Sequence, residues 1–318
     1  MKSVLEFLKK NMVILLLVIM VIIFSITTTG FATMKNMFNI LRQCSIMGIV
    51  AAGMAVVIIS GGIDLSVGTN LSLCTVLCAW LITKQSAPPV VACVIGILVT
   101  TGVGCLNGLF ITATNMPLFI ATLAMMKVLE GVSFTITGGM PIYGLPDGMK
   151  FIGQGYLGPI PIPVLFLAAV FALAHFVMAK TYLGRYIYAV GSSEEVARLS
   201  GLGTRRIKIL AYVISSFFVG LAGVICTARI GAGQANAGTG MEMDVITAVV
   251  VGGVAMEGGK GKVTQVIIGT LVMGVISNGF GIMGVNTYGQ MICKGVILLV
   301  VVGINCFRML YANEAREA

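Results

Sequence analysis

Long apolar runs separated by short polar interruptions recur along all 318 residues of the chain. A helix of about 20 apolar residues crosses a ~30 Å hydrocarbon core. Ten candidate spans are read at 12–29, 38–60, 66–83, 90–113, 118–137, 163–180, 207–230, 241–256, 263–284 and 290–307. The pattern predicts an all-α polytopic membrane protein with about ten transmembrane helices, forming a single domain over 1–318. Gly or acidic residues interrupt the second, third and eighth spans, whose ends are therefore the least sharply marked. The first run follows Lys9 and Lys10 as a signal peptide would. Its apolar part is too long for one, and no A-x-A-type site follows, so it reads as a membrane anchor.

Composition excludes a water-soluble fold. Hydrophobic residues make up 58% of the chain and charged residues 10%, against about 25% charged in a soluble domain. The 41 glycines fit helices that pack closely through small residues. A formal charge of +9 raises nucleic acid as a partner, but the basic residues form no aromatic-interleaved patch and lie mostly between apolar spans. They report topology instead. Lys9, Lys10, Arg185, Arg198, Arg205, Arg206, Lys208, Lys260 and Lys262 all fall on one side if both termini are cytoplasmic, the orientation favoured by the positive-inside bias. The 138–162 segment, rich in Pro and Gly, is then an external loop or re-entrant segment, and 181–206 is the main cytoplasmic loop. The eight cysteines lack the spacing of a disulfide framework or zinc site, and His175 stands alone, so neither metal nor cofactor is expected.

Three segments carry candidate chemistry. Gly61-Gly62-Ile63-Asp64-Leu65-Ser66-Val67-Gly68 breaks an apolar stretch, with paired glycines just before a carboxylate. Irregular backbone at membrane depth must be buried in protein or line a cavity, and an ionisable residue there needs a partner. Asp64 has two readings: a cap at the start of the third span, accepting the N–H of Ser66 or Val67, or a residue beside the solute path. Asn107, Thr122, Asn278 and the Lys127/Glu130 pair are polar positions within other spans, suited to lining a path or to linking helices.

The cytoplasmic loop holds Ser192-Ser193-Glu194-Glu195-Val196-Ala197-Arg198-Leu199-Ser200-Gly201. Ser192 and Glu195 have capping-box spacing, Glu194 and Arg198 pair at i,i+4, and Gly201 can end the helix. Val196 and Leu199 give this short helix a small apolar face, fit either for a partner or for packing on its own chain. The third segment, Met256-Glu257-Gly258-Gly259-Lys260-Gly261-Lys262, fails as a P-loop, because neither lysine is followed by Ser or Thr and the leading Gly is absent. Gly279, Gly281 and Gly284 match G-x-G-x-x-G but close an apolar span rather than open a helix after a strand. No Ser/His/Asp, Cys/His or paired-carboxylate constellation stands out, and no enzymatic activity is expected.

Taken in order, these segments resemble the permeases of bacterial ribose/xylose/galactose-type ATP-binding-cassette (ABC) importers, the branched carbohydrate permease family. The resemblance runs over nearly the whole chain. It rests on Gly61 to Gly68, Asn107-Gly108, Pro117 to Leu123, Leu183-Gly184-Arg185, Ala189-Val190-Gly191, Ala197 to Gly201, and Asp244 to Gly261. Glu130-Gly131 stands where many members have Arg-Gly, and Met116 where a second proline is frequent. The resemblance implies a type II ABC importer-like permease in the bacterial plasma (inner) membrane. It also implies a second permease subunit, identical or not, two nucleotide-binding ATPase domains that are sometimes fused, and an external solute-binding protein. Glu194, Glu195, Ala197, Arg198, Leu199 and Gly201 would form the coupling helix on the ATPase. Gly61, Gly62, Asp64, Ser66, Asn107 and Asn278 would belong to the helix break or translocation path. The expected solute is a ribose-like monosaccharide or a related small polar solute. The alternative class is an ion-coupled secondary transporter, which would need carboxylates such as Asp64 and Glu130 for its coupling ion.

Overall fold

Helix succeeds helix throughout the computed structural model, which describes residues 12–114 and 116–317. Lys9 and Lys10 lie outside the described residues. The helices are α1 (Met12–Thr27), α2 (Met34–Ile59), α3 (Val67–Lys84), α4 (Pro89–Thr114), α5 (Leu118–Thr137), α6 (Asp147–Gln154), α7 (Ile162–Lys180), α8 (Tyr182–Ser192), α9 (Glu194–Leu199), α10 (Thr204–Ile230), α11 (Met241–Val251), α12 (Val263–Ile282) and α13 (Thr287–Glu317). Seven of them, α2, α3, α4, α5, α7, α10 and α12, are long and apolar enough to cross a membrane. Shorter apolar stretches occupy Val13–Thr27 and Thr287–Gly303.

Layering follows from which faces are apolar all round. The most apolar window of α2 is 89% buried and that of α5 only 22%, so α2 is central and α5 peripheral. Leu98, Phe110, Phe119 and Phe176 stand exposed on α4, α5 and α7, an apolar outer surface suited to lipid. Helix α10 packs on α4, α2 and α3, and small residues set the approach: a Cβ at Gly104 would collide with Ser216 and one at Gly108 with the Ile209 backbone. The Gly-rich composition acts here, by admitting backbones close together.

One expectation is refined and another corrected. The 138–162 segment, read as an external loop or re-entrant segment, contains regular structure: Pro146 leads into the two-turn α6, whose Met149 and Gly153 are buried. A small antiparallel hairpin follows, β1 (Tyr156–Leu157) on β2 (Ile160–Pro161), with Leu157 opposite Ile160. The eighth span is not a helix over 241–256. Its helical part, α11, has 11 residues and rises ~16 Å, about half the hydrocarbon core.

The irregular, turn-rich segment 231–240, which joins the seventh and eighth candidate spans, lies along α3. Its backbone is satisfied by hydroxyls of that helix: Gln234 N–H donates to Thr75 Oγ1 (3.2 Å), Thr75 Oγ1 donates to the Gln234 carbonyl (3.0 Å), and Gly238 N–H donates to Ser72 Oγ (2.9 Å). Gly233 and Ile142 exchange two backbone bonds of 2.9 Å. Unwound backbone within a bundle is stable only with such partners.

Candidate functional site

The break after α2 is a glycine-built helix stop. Gly61 adopts φ +82°, and its N–H donates to the Ile58 carbonyl (2.9 Å) while Gly62 N–H donates to that of Val57 (2.9 Å). This is the paired Schellman arrangement, which requires the left-handed residue that glycine supplies. Gly62 has a different constraint, since a Cβ there would press on the Tyr212 hydroxyl.

Asp64 is fully buried two residues later. Its Oδ1 accepts Ser66 N–H (2.9 Å), Ser66 Oγ–H (2.6 Å) and a longer bond from Asn107 Nδ2 (3.5 Å). Asn107 Nδ2 also donates to Ser66 Oγ at 2.9 Å. The carboxylate thus fixes the turn into α3 by the i,i+2 bond typical of Asp in turns and ties it to α4. From α10, the Tyr212 hydroxyl donates to the Ile63 carbonyl (3.2 Å). Asp64, Ser66 and Asn107 are therefore brought together. Asn278 is not: it exchanges amide bonds of 2.8 and 2.9 Å with Asn36, linking α12 to α2. Thr122 bonds back to the Leu118 carbonyl (3.0 Å), and Lys127 pairs with Glu130 at 2.8 Å.

Beside this break, three glycine-containing motifs that are far apart in sequence converge. A Cβ at Gly191, at the end of α8, would overlap the Ile59 carbonyl, and one at Gly258 would meet the Gly61 backbone and the Gly191 carbonyl. Gly259 N–H donates to the Ile59 carbonyl, and Tyr188 Oη–H to that of Gly261 (2.7 Å). Burial raises the Tyr188 phenol above its ordinary pKa, in keeping with its role as a neutral donor.

Helix α9 extends from this junction. Ser193, not Ser192, caps it: Ser193 is extended (φ −163°, ψ 109°) and its Oγ accepts Val196 N–H at 3.3 Å. Ser192 still belongs to α8, with its hydroxyl bonded back to the Tyr188 carbonyl (2.9 Å), so the capping box with Glu195 does not form. Glu194 pairs with Lys208 of α10 rather than with Arg198. Gly201 ends the helix at φ +82°, with Gly201 N–H donating to Arg198 O (3.0 Å) and Leu202 N–H to Ala197 O (3.1 Å), a second Schellman stop. Ala197 turns inward, 4% exposed, whereas Val196 and Leu199 are 61% and 79% exposed. Ala197 therefore seats the helix on its own chain, and the apolar pair faces away.

Segment 231–240 was left between spans in the sequence, but its packing against α3 was missed. Four glycines in this stretch, Gly231, Gly233, Gly238 and Gly240, were the available signal, together with Ser66, Thr69, Ser72 and Thr75 at every third position of the facing helix.

A many-helix membrane bundle with a glycine-capped break, a half-length helix and a protruding capped helix defines a permease-type transport protein, with no catalytic constellation among the residues described. Comparison makes the class specific. Residues 36–302 match the family described as the branched-chain amino acid transport system permease component. The chain is 40% identical over 283 residues to the ribose import permease protein RbsC of Bacillus subtilis, covering 88% of each chain. It is 34% identical to the D-allose transport system permease protein AlsC of Escherichia coli, covering 88% of this chain and 86% of that one. It is 32% identical to the xylose transport system permease protein XylH of Haemophilus influenzae, covering 89% and 92%. No solved structure matches significantly. The chain belongs to this permease family. It is the membrane-spanning permease subunit of an ABC importer and not itself an enzyme.

Proposed function

We propose that this permease admits ribose or a closely similar monosaccharide. It works as a homo- or heterodimer with a second permease, two ABC ATPase domains on the cytoplasmic face, separate or fused, and an external solute-binding protein. The similarity to ribose, D-allose and xylose permeases supports the choice of a sugar over the amino acids in the family's description. Both termini are assigned to the cytoplasm of the bacterial plasma membrane, on the distribution of basic residues. The whole chain acts as one domain, with 181–206 as its coupling loop.

The observation that carries the coupling role is the exposed Val196/Leu199 pair on a helix stopped at both ends and anchored by Ala197. A short rigid knob of this kind fits a groove on a partner, while Glu195 and Arg198 at its rim tune register more than affinity. Glu194 and Gly201 hold its ends. The adjacent glycine junction joins this knob to the break at Gly61, Gly62 and Asp64, giving a short mechanical route from ATPase to membrane helices. Asp64, Ser66 and Asn107 serve as the lock of the break, and Asn278 as a helix link. The test is co-purification with a partner ATPase followed by ATP-dependent sugar uptake in vesicles. Capture of the ATPase by the wild type but not by a Leu199→Asp variant is expected, and equal capture by both contradicts the coupling role.

A further inference from the structure

A cavity of about 250 Å³ opens where the unwound segment meets α11, bounded by α2, the end of α10, α12 and α13. It lies in the half of the bundle that also holds α6, since the Arg229 carbonyl beside it accepts Gln154 Nε2–H at 3.0 Å. Irregular backbone at membrane depth either is packed in protein or lines a cavity. Most of segment 231–240 is packed on α3, and Thr239 at its end reaches the cavity.

The polar groups here differ from those elsewhere in the bundle. Hydroxyls within the helices generally bond back to a carbonyl one turn earlier, as Thr227, Thr247 and Thr270 do in the same or adjoining helices. The side chains of Gln43, Thr239 and Ser277 make no hydrogen bond among the described residues, and the Arg229 guanidinium has neither a hydrogen-bond acceptor nor a carboxylate partner there. The fifth and sixth polar groups, Asp244 and Lys294, pair at 2.6 Å, with their side chains 21% and 24% exposed. An amide, two hydroxyls, a guanidinium and an ion pair therefore converge on one small space, with apolar side chains of α2 on the remaining side.

We infer that this cavity is a solute site of the permease itself, built for a neutral polyhydroxylated solute of pentose size. Every hydroxyl of such a solute both donates and accepts. The amide and hydroxyls match either role, Asp244 accepts from a diol, Arg229 donates, and the apolar wall takes the C–H face. Asp244 and Lys294 cancel each other's charge, and the remaining Arg229 guanidinium is a planar donor fork that can serve two hydroxyls of one solute, so the site offers sugar-type contacts while carrying one positive charge. The volume is just below the ~300–1,000 Å³ of drug-sized pockets, which suits a small solute. The inference rests on the sugar-importer reading and adds to it a location inside the membrane chain, apart from the external solute-binding protein.

The test uses the solubilised full-length permease without its solute-binding protein. Saturation-transfer NMR is recorded with D-ribose, D-xylose and, as an anionic control, D-gluconate. Transfer to the pentose ring protons is expected, lost in Ser277→Leu, which fills the cavity, and weakened in Ser277→Ala, which removes only the hydroxyl. Capture of the ATPase by both variants checks that they are folded. In the complete transporter, Ser277→Leu should lower pentose uptake about tenfold. Wild-type pentose uptake with unchanged transfer and uptake in both variants overturns the site while leaving the importer reading intact. Transfer to gluconate alone overturns the neutral class. Absence of both pentose uptake and pentose transfer in the wild type overturns the site together with the sugar reading.

Discussion

The last carbonyl of α2, that of Ile59, accepts the backbone N–H of Gly259 at 2.9 Å, so a turn from late in the chain completes the end of the central helix. Gly191 lies against the same carbonyl and leaves no room for a side chain. The helix that leads into α9 is thereby in backbone contact with the helix that leads into the break at Gly61.

Gly191→Val should therefore destabilise the junction by about 1–3 kcal/mol, the usual cost of forcing extra atoms into a packed site. The control is Gly102→Ala in α4, where a Cβ would meet nothing within 4 Å and helix propensity improves slightly. Thermal unfolding of the two solubilised variants checks this. Equal stability would mean that the junction yields without cost.

Asp64→Asn keeps an oxygen at the Oδ1 position for Ser66 and should leave folding largely intact. Asp64→Leu removes the acceptor for both the N–H and the hydroxyl of buried Ser66, each costing about 1–3 kcal/mol when left unpaired. Membrane yield and melting temperature should fall for the leucine variant alone. A leucine variant as stable as the wild type would show that the turn is held by other contacts.

Two substitutions in α9 should separate docking from folding. Leu199→Asp alters an exposed side chain and should abolish ATPase capture at normal membrane levels. Ala197→Trp places a large ring where the chain packs on itself, so the protein should lose stability before partner binding can be read. Comparing melting curves with pull-downs distinguishes the two, and an Ala197→Trp protein of normal stability would show that the seat under α9 is loose.

How far these features can be read from sequence depends on how local their causes are. The helix stop at Gly61-Gly62, the end of α9 at Gly201, and the closeness of Asp64 to Ser66 follow from neighbouring residues and were visible. The cap at Ser193 was displaced by one position, because only the structure shows α8 running on through Ser192. The inward turn of Ala197 depends on what lies beneath α9. The packing of segment 231–240 on α3 was hidden because its stabilising hydroxyls, Ser72 and Thr75, sit on a helix remote in sequence. The pairing of Asn278 with Asn36 was hidden for the same reason.

Topology is checked by cysteine labelling with a membrane-impermeant reagent, read against the native cysteines. Glu195→Cys on exposed α9 should react only from the cytoplasmic side, and Gly148→Cys, where a side chain has open space, only from outside. The reverse pattern would invert the orientation drawn from the basic residues.

The central claim is that this chain moves its solute at the expense of ATP hydrolysed elsewhere. Its most direct test is D-ribose uptake into proteoliposomes holding the permease and its ATPase, with the solute-binding protein on the external side. The purified permease alone should hydrolyse no ATP, since it lacks a phosphate-binding loop. Uptake should require ATP, the ATPase and the binding protein together, and should persist when ionophores collapse every ion gradient. Uptake that continues without ATP and stops with the ionophores would contradict the account and assign the chain to ion-coupled transport.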